Sequence, residues 1–223
     1  MAAEFDWFNH MEEVMKNRGE TTTQKELKDV YSSWSTTYEK SIVGDHEYKG
    51  PTVAAELLTQ KLKEFGFSND ARIMDLGCGT GLVGEQLQKR GYKNIDGIDL
   101  TPALLEIAKA KGIYGSLRQG TMGSPQCKEL GVEANQYDAA ICVGVLTLAH
   151  VKNEGLDDIV HVVKPGGLAC FGIREFAFTD PQGGYQQKIE QLCKEGKWKL
   201  LVKHHESAYL KDGGAILFVY QIL

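Results

Sequence analysis

Short apolar runs alternate with amphipathic segments along most of the chain after residue 66. The apolar runs predict strands at residues 71–76, 94–100, 137–145 and 168–174. Apolar positions at helical spacing predict helices at residues 82–89, 102–111 and 156–163. Strands that are apolar on both faces and alternate with helices are typical of a parallel sheet covered on both sides. The pattern therefore predicts an α/β fold.

The C-terminal part of the chain departs from this alternation. Strands are predicted at residues 197–206 and 215–223, on either side of the turn Lys211-Asp-Gly-Gly. Because no helix separates these two strands, we expect them to pair as an antiparallel hairpin.

The first 50 residues are rich in aromatic side chains and differ from the rest. Helices are predicted at residues 5–17 and 24–39, with a threonine N-cap before the second. A further helix is predicted at residues 52–65, with Pro51 in its first turn and Gly66 after its end. We interpret residues 1–50 as a helical cap or lid over a domain formed by residues 51–223.

Composition and charge narrow the class of protein. The chain has 223 residues, of which 42% are hydrophobic and 25% charged, as in ordinary globular proteins. Its formal net charge of -5 disfavours nucleic acid as the partner, since duplex-binding surfaces are usually basic. No apolar run approaches the roughly 20 residues of a membrane helix, so no membrane partner is expected. The five cysteines lack C-x-x-C spacing, which argues against disulfides and zinc and favours reduced thiols in the cytoplasm.

The segment after the first predicted strand carries the strongest chemical signal, Asp75-x-Gly77-x-Gly79-x-Gly81. Glycines at this position allow a tight turn and a close approach of backbone to ligand. One interpretation is a dinucleotide site, because Gly79-x-Gly81-x-x-Gly84 is followed by Asp99 20 residues after Gly79. The other is an S-adenosylmethionine site. A carboxylate just before the first glycine would repel a pyrophosphate but would attract a cationic amino-acid ligand, which favours the second interpretation.

Four motifs in order resemble the class I S-adenosylmethionine-dependent methyltransferases. They are Met74-Asp-Leu-Gly-Cys-Gly-Thr-Gly81, Gly97-Ile-Asp-Leu-Thr101, Tyr137-Asp-Ala-Ala-Ile141 and Val163-Lys-Pro-Gly-Gly167. The resemblance implies a Rossmann-like sheet of seven mostly parallel strands in the order 3-2-1-4-5-7-6, with strand 7 antiparallel and helices on both faces. It also implies S-adenosyl-L-methionine as cofactor and S-adenosyl-L-homocysteine as product.

A narrower resemblance covers roughly residues 28–223 and points to the methyltransferase-like family named after the Williams–Beuren chromosomal region. The residues that carry it are Tyr38-Glu-Lys, Tyr48-x-Gly-Pro51, Gly144-Val-Leu-Thr147 with His150, Arg174-Glu175 and Glu195-Gly-Lys-Trp198. The chain departs from that family after Arg174-Glu175, where Phe176-Ala-Phe-Thr-Asp-Pro replaces an acidic and aromatic run. The acceptor end of the site is the part that this departure affects.

The broader resemblance implies a set of cofactor-binding residues. Asp75 and the glycine turn would hold the amino-acid tail, and Asp99 would accept both ribose hydroxyls. The remaining positions flank the adenine, lie under the ligand, or offer an aromatic face to the sulfonium. The full set is Tyr38, Asp75, Gly77, Cys78, Gly79, Gly81, Asp99, Leu100, Thr101, Thr121, Met122, Val143 and Gly144.

The methyl acceptor is expected to be a small molecule, with no metal involved. We expect O-methylation of a small hydroxylated aromatic with His150 as catalytic base, although a histidine there is equally consistent with a solvated loop. N-methylation of a small amine and methylation of a carboxylate remain open, as does a non-catalytic cofactor-binding subunit of a complex. A monomer or weak homodimer is expected. The predicted acceptor-binding residues are Tyr31, Trp34, Tyr48, Leu146, His150, Arg174 and Phe176.

Overall fold

The computed structural model describes residue 10 and residues 23–211 and 213–223. The helix predicted at 5–17 therefore lies outside the described residues, apart from position 10. None of the helices in the described part has the length and apolar character needed to span a bilayer.

Within the described residues, seven strands form one sheet in the order β3-β2-β1-β4-β5-β7-β6. Neighbours among β1 to β5 are parallel, and β7 is antiparallel to both β5 and β6. This confirms the predicted strand order and the C-terminal hairpin. The strands are β1 Ile73–Leu76, β2 Ile95–Asp99, β3 Ser116–Gln119, β4 Tyr137–Leu146, β5 Val163–Arg174, β6 Trp198–Leu210 and β7 Gly213–Ile222.

Helices cover both faces of this sheet. In β1, Ile73 packs into one hydrophobic core while Met74 and Leu76 pack into the other, as expected for a strand buried on both faces. The helices of the described residues are α1 Gln24–Trp34, α2 Gly50–Glu64, α3 Leu82–Lys89, α4 Pro102–Ala110, α5 Gly155–Val162, α6 Glu175–Thr179 and α7 Tyr185–Lys194, with a π-helical turn at Lys40–Asp45.

The helix predicted at 24–39 is shorter than expected. Its start is as predicted, because Thr23 caps it and forms a reciprocal capping box with Glu26. Its end comes at Trp34. There the Ser35 hydroxyl donates to the carbonyl of Ser32 at 2.7 Å, and such local bonds compete with helix continuation. The chain therefore turns before Tyr38.

Strand β5 is longer than the predicted 168–174. It begins at Val163, which pairs with Tyr137 of β4, so the Lys164-Pro-Gly-Gly segment is drawn into the sheet. The loops after β1, β2, β3 and β4 all emerge at the carboxyl edge of the sheet, where ligands bind in folds of this kind.

Candidate functional site

A cavity opens at the carboxyl ends of β1, β2 and β4, beneath α1 and the segment that follows it. It encloses about 1020 Å³, including the part open to solvent, which is the size of a pocket for a small organic ligand. Most of the predicted site residues line it: Tyr31, Tyr38, Tyr48, Gly77, Cys78, Gly79, Asp99, Leu100, Thr101, Thr121, Met122, Val143, Gly144 and His150.

Four predicted acceptor residues are placed elsewhere. Leu146 is 1% exposed and packs into the core on the opposite face of the sheet. Trp34 is 3% exposed and lies behind the cavity wall, with its ring 5.9 Å from that of Tyr31. Arg174 and Phe176 are absent from the cavity lining, and the Arg174 guanidinium lies 5.4 Å from the Phe176 ring. These four residues, like the predicted cofactor residues Asp75 and Gly81, therefore do not line the cavity.

Several lining residues were not predicted. They come from helices that reach the cavity and from positions beside the motifs, namely Gln24, Leu27, Pro51, Thr80, Leu82, Val83, Ile98, Leu104, Gly120, Val145 and Val151. Those beside the motifs could have been found by widening each motif by a residue. Gln24 and Leu27 carry no such signal, because their place at the cavity depends on how α1 packs.

The glycine turn after β1 requires glycine on geometric grounds. Gly77 has a φ of +74°, and a Cβ there would lie 2.3 Å from Cγ2 of Val145. Gly79 also has positive φ, at +54°, but a Cβ there would meet nothing within 4 Å. The Gly79 side of the turn therefore faces open space, where a ligand can approach the backbone.

Asp75 lies behind this turn and is fully buried. The Tyr114 hydroxyl donates to its Oδ2 at 2.7 Å, whereas its Oδ1 has no hydrogen-bond partner among the described residues. Burial is the largest effect on the pKa of Asp75 and raises it, the hydrogen bond from Tyr114 lowers it, and the charge of Asp99 raises it. Together these effects bring the pKa of Asp75 to about 7. A buried carboxylate oxygen without a partner is unfavourable, and a nearby cationic ligand would relieve that cost.

Asp99, at the end of β2, is held ready for polar recognition. Its Oδ2 accepts the Gly79 N–H at 2.9 Å, and its Oδ1 accepts the Thr101 N–H at 2.8 Å. Burial raises its pKa, and these backbone hydrogen bonds lower it. Because each carboxylate oxygen has a second lone pair, Asp99 can still accept two hydroxyl donors.

Aromatic side chains cover the other end of the cavity. The Tyr31 hydroxyl lies 3.2 Å from Nε2 of His150, and the Tyr48 hydroxyl lies 3.1 Å from that of Tyr209. Burial raises the pKa of each of these tyrosines and lowers the pKa of His150 to about 4. These groups are therefore uncharged at neutral pH, and the neutral imidazole of His150 has one ring nitrogen that can accept a proton.

The segment after α1 carries part of the aromatic cover, which consists of Tyr31, Tyr48 and His150. Ion pairs and close packing hold this segment against the rest of the chain. Lys111, just after α4, lies 2.5 Å from carboxylate oxygens of both Glu39 and Glu85. At Gly144, a Cβ would lie 2.6 Å from the Tyr48 hydroxyl, so the absence of a side chain there makes room for the cover.

Comparison with known proteins identifies the class. A methyltransferase-domain family matches residues 73–167. The crystal structure of magnesium protoporphyrin IX methyltransferase from Synechocystis PCC 6803 with bound S-adenosylhomocysteine superposes with a TM-score of 0.66, covering 90% of this chain and all of that one at 13% identity. Together with the strand order, the turn described above and the 32% identity to methyltransferase-like protein 27 described next, these matches show that the chain belongs to the class I S-adenosylmethionine-dependent methyltransferases.

Sequence relatives place it more narrowly. The chain is 32% identical over 173 residues to methyltransferase-like protein 27 from Homo sapiens, which covers 77% of this chain and 68% of that protein. It is 33% identical over 101 residues to a ubiquinone biosynthesis O-methyltransferase from Bordetella avium, covering 41% of that enzyme. The first match therefore extends along most of both proteins, whereas the second is confined to less than half of each.

The described residues fit the cofactor of this family. S-adenosylmethionine carries an amino-acid tail with a cationic ammonium group, and a ribose with two hydroxyls. The unpartnered Oδ1 of Asp75 and the open side of Gly79 suit the first, and the free lone pairs of Asp99 suit the second. Among the described residues that line the cavity, Asp99 is the one anionic side chain and none is lysine or arginine.

Proposed function

We propose that this protein transfers a methyl group from S-adenosylmethionine to the hydroxyl of a small, neutral aromatic molecule. The observation that carries the proposal is the uncharged aromatic cover, in which His150 is the one imidazole. Such a lining favours a neutral ring, because stacking and apolar burial supply the affinity and the part of the lining that the structure describes holds no lysine or arginine to pair with an anion.

In this proposal the cofactor residues divide the ligand between them. Asp75 and the glycine turn serve the amino-acid tail, while Asp99 accepts the ribose hydroxyls. The adenine would be bordered by Leu100, Thr101, Thr121 and Met122, and Val143 and Gly144 would lie under the ligand. When bound, S-adenosylmethionine supplies an electrophilic methyl group on a sulfonium that leaves as a thioether.

His150 would take the proton of the acceptor hydroxyl. Its pKa of about 4 keeps the imidazole neutral at pH 7, so Nε2 can accept a proton in the tautomer that is protonated at Nδ1. A free phenol has a pKa of about 10 and is therefore un-ionised at pH 7. Its proton becomes more acidic as the oxygen attacks the methyl group and gains positive charge, and His150 would accept the proton at that stage. Tyr31, within hydrogen-bond distance of Nε2, would orient the imidazole or yield its place to the acceptor.

The same lining bears on the alternative acceptors. A carboxylate is disfavoured, because no lysine or arginine is found among the described lining residues and Arg174 lies outside the cavity. A neutral amine would fit the same surface. One relative, 29% identical over 105 residues, is an 18S rRNA (guanine(1575)-N(7))-methyltransferase from Saccharomyces cerevisiae. For this chain we propose a small-molecule acceptor. A cytoplasmic location and a monomeric or weakly dimeric state belong to the same proposal.

The experiment is a labelled-methyl assay on matched simple phenols, anilines and benzoates, with wild-type protein and His150→Ala. We expect methylated phenols, and a loss of about a hundredfold in kcat for the variant at pH 7 with unchanged affinity for S-adenosylhomocysteine. His204→Ala, which alters a partly exposed histidine of β6, is the control and should leave kcat unchanged.

The pH profile sharpens this test. Because protonated His150 cannot accept a proton, wild-type kcat should stay level from pH 6 to 8 and fall only as the pH approaches about 4. The variant should regain rate as solvent ionises the phenol near pH 10. Methylation of benzoates but not phenols, or a variant with wild-type kcat on phenols across this range, would refute the proposal.

A further inference from the structure

Tyr114, which no sequence motif contains, occupies a slot between the glycine turn and α3. A Cβ at Gly84 would lie 2.5 Å from the Tyr114 hydroxyl, and a Cβ at Gly81 would lie 3.2 Å from its ring. Two glycines of the turn region are therefore shaped around this one side chain. Gly84 completes the dinucleotide pattern in the sequence, but in the structure its missing side chain admits the tyrosine hydroxyl.

The Tyr114 hydroxyl supplies the one hydrogen bond that the Asp75 side chain receives within the described residues. The other ionisable groups that face Asp75 are Asp99, Cys78 and Cys142. Burial raises the pKa of both thiols well above their ordinary value, so both are neutral. Asp99 repels the charge of Asp75, which leaves Tyr114 as the described group that favours the ionised form.

We propose that Tyr114 is a positioning residue of the cofactor site: its hydroxyl orients Asp75 and favours its ionised form behind the glycine turn, where the negative charge attracts the ammonium group of the amino-acid tail. The inference rests on the role proposed above for Asp75 and is independent of the acceptor. It predicts that Tyr114 affects only ligands that carry the tail.

Two ligands and two variants test this inference. S-adenosylhomocysteine has the amino-acid tail, whereas 5′-methylthioadenosine has the same nucleoside without it. Tyr114→Phe removes the hydroxyl that binds Asp75. The matched control is Tyr92→Phe, because Tyr92 is also fully buried but its hydroxyl has no hydrogen-bond partner among the described residues. Affinities are measured by titration calorimetry on the full chain.

At pH 7 we expect Tyr114→Phe to bind S-adenosylhomocysteine about tenfold more weakly than wild type and 5′-methylthioadenosine equally well. Loss of the donor raises the pKa of Asp75 further above 7, so less of the carboxylate is ionised at that pH. The deficit should therefore narrow at pH 8.5. Tyr92→Phe should match wild type for both ligands at both pH values.

Three results would overturn the inference. Equal weakening of both ligands would mean that Tyr114 is only a packing residue of the turn. Unchanged affinity for both would mean that its hydroxyl does not act on the site. Wild-type protein that binds 5′-methylthioadenosine as tightly as S-adenosylhomocysteine would show that Asp75 does not serve the tail, and would remove the role of both residues. None of these results depends on whether phenols are methylated.

Discussion

The two ends of the cavity are built in different ways. Most of the cofactor end comes from one stretch of chain, from β1 through the glycine turn to Asp99 and Thr101, and much of its geometry is backbone. The loop after β3 and the end of β4 add Thr121, Met122, Val143 and Gly144. The cover end is assembled from Tyr31, Tyr48 and His150, which are far apart in sequence, and its geometry is made by side chains. A binding mode shared by a family can reside in the first, whereas acceptor choice can vary in the second.

The two ends also differ in charge. The cofactor end holds the buried carboxylate of Asp75 and the partly exposed carboxylate of Asp99, and removal from water raises the pKa of both. The cover end holds tyrosines and a histidine that burial keeps neutral. A site of this kind is suited to a cation at one end and, in the function proposed above, to an uncharged molecule at the other. Substitutions at the two ends should therefore have separable effects.

The largest effect is expected for Asp75→Asn. Removing the buried charge should weaken S-adenosylhomocysteine by about a hundredfold, since truncating one partner of a buried charge pair is costly. Because the pKa of Asp75 in the folded protein, about 7, lies above its ordinary 3.8, ionised Asp75 destabilises the ligand-free fold as pH rises through that interval. The variant should therefore be more stable at pH 8, by about 1–3 kcal/mol in chemical denaturation.

Asp138→Asn is the matched control for the gain in stability that we expect for Asp75→Asn at pH 8. Asp138 pairs with Lys164 at 2.7 Å, and its pKa is lowered by hydrogen bonds from Lys164 and Arg72 that outweigh partial burial. Ionised Asp138 therefore stabilises the fold at pH 8, and this stabilisation is lost as pH falls through its pKa. Its substitution should destabilise the protein at pH 8 and leave ligand affinity unchanged. A less stable Asp75→Asn with normal ligand affinity would contradict the contrast between the two ends.

An intermediate effect is expected for Asp99→Ala. Losing a carboxylate that accepts ribose hydroxyls should weaken S-adenosylhomocysteine by about ten- to a hundredfold. Unlike Asp75→Asn, this variant should weaken 5′-methylthioadenosine to the same extent, because both ligands contain the ribose. Calorimetry with the two ligands checks this, and circular dichroism checks that the fold is retained. Unchanged affinity for both would remove Asp99 from the site.

The smallest effect is expected at the cover, for Tyr48→Phe. Loss of the hydrogen bond to Tyr209 should cost about 1 kcal/mol of stability and leave affinity for S-adenosylhomocysteine unchanged. Tyr209→Phe should cost a similar amount, and the double variant should cost less than the sum, because both substitutions remove the same bond. Strictly additive losses in urea unfolding would show that the two hydroxyls do not share a bond. A large loss of cofactor affinity would show that the two ends are not separable.

The sequence by itself determined the sheet and the cofactor end. The alternation of apolar runs with amphipathic helices predicted six of the seven strands, but not β3, which has no buried residue and no apolar run. The motifs carried the order 3-2-1-4-5-7-6 through resemblance to the family. The turn from Asp75 to Gly81 could also be predicted, since strand, turn and helix are contiguous and glycine is required by local backbone geometry. These features depend on neighbours along the chain.

Tertiary structure decided the cover. Tyr31 and His150 meet across 119 positions of sequence, and Tyr48 and Tyr209 across 161, so no local pattern signals either pair. Leu146, by contrast, lies three positions after the cavity residue Val143 on β4, so the alternation of side chains along a strand directs it into the opposite core. Which face a side chain meets, and which distant residue fills the space beside it, is settled only when the elements pack.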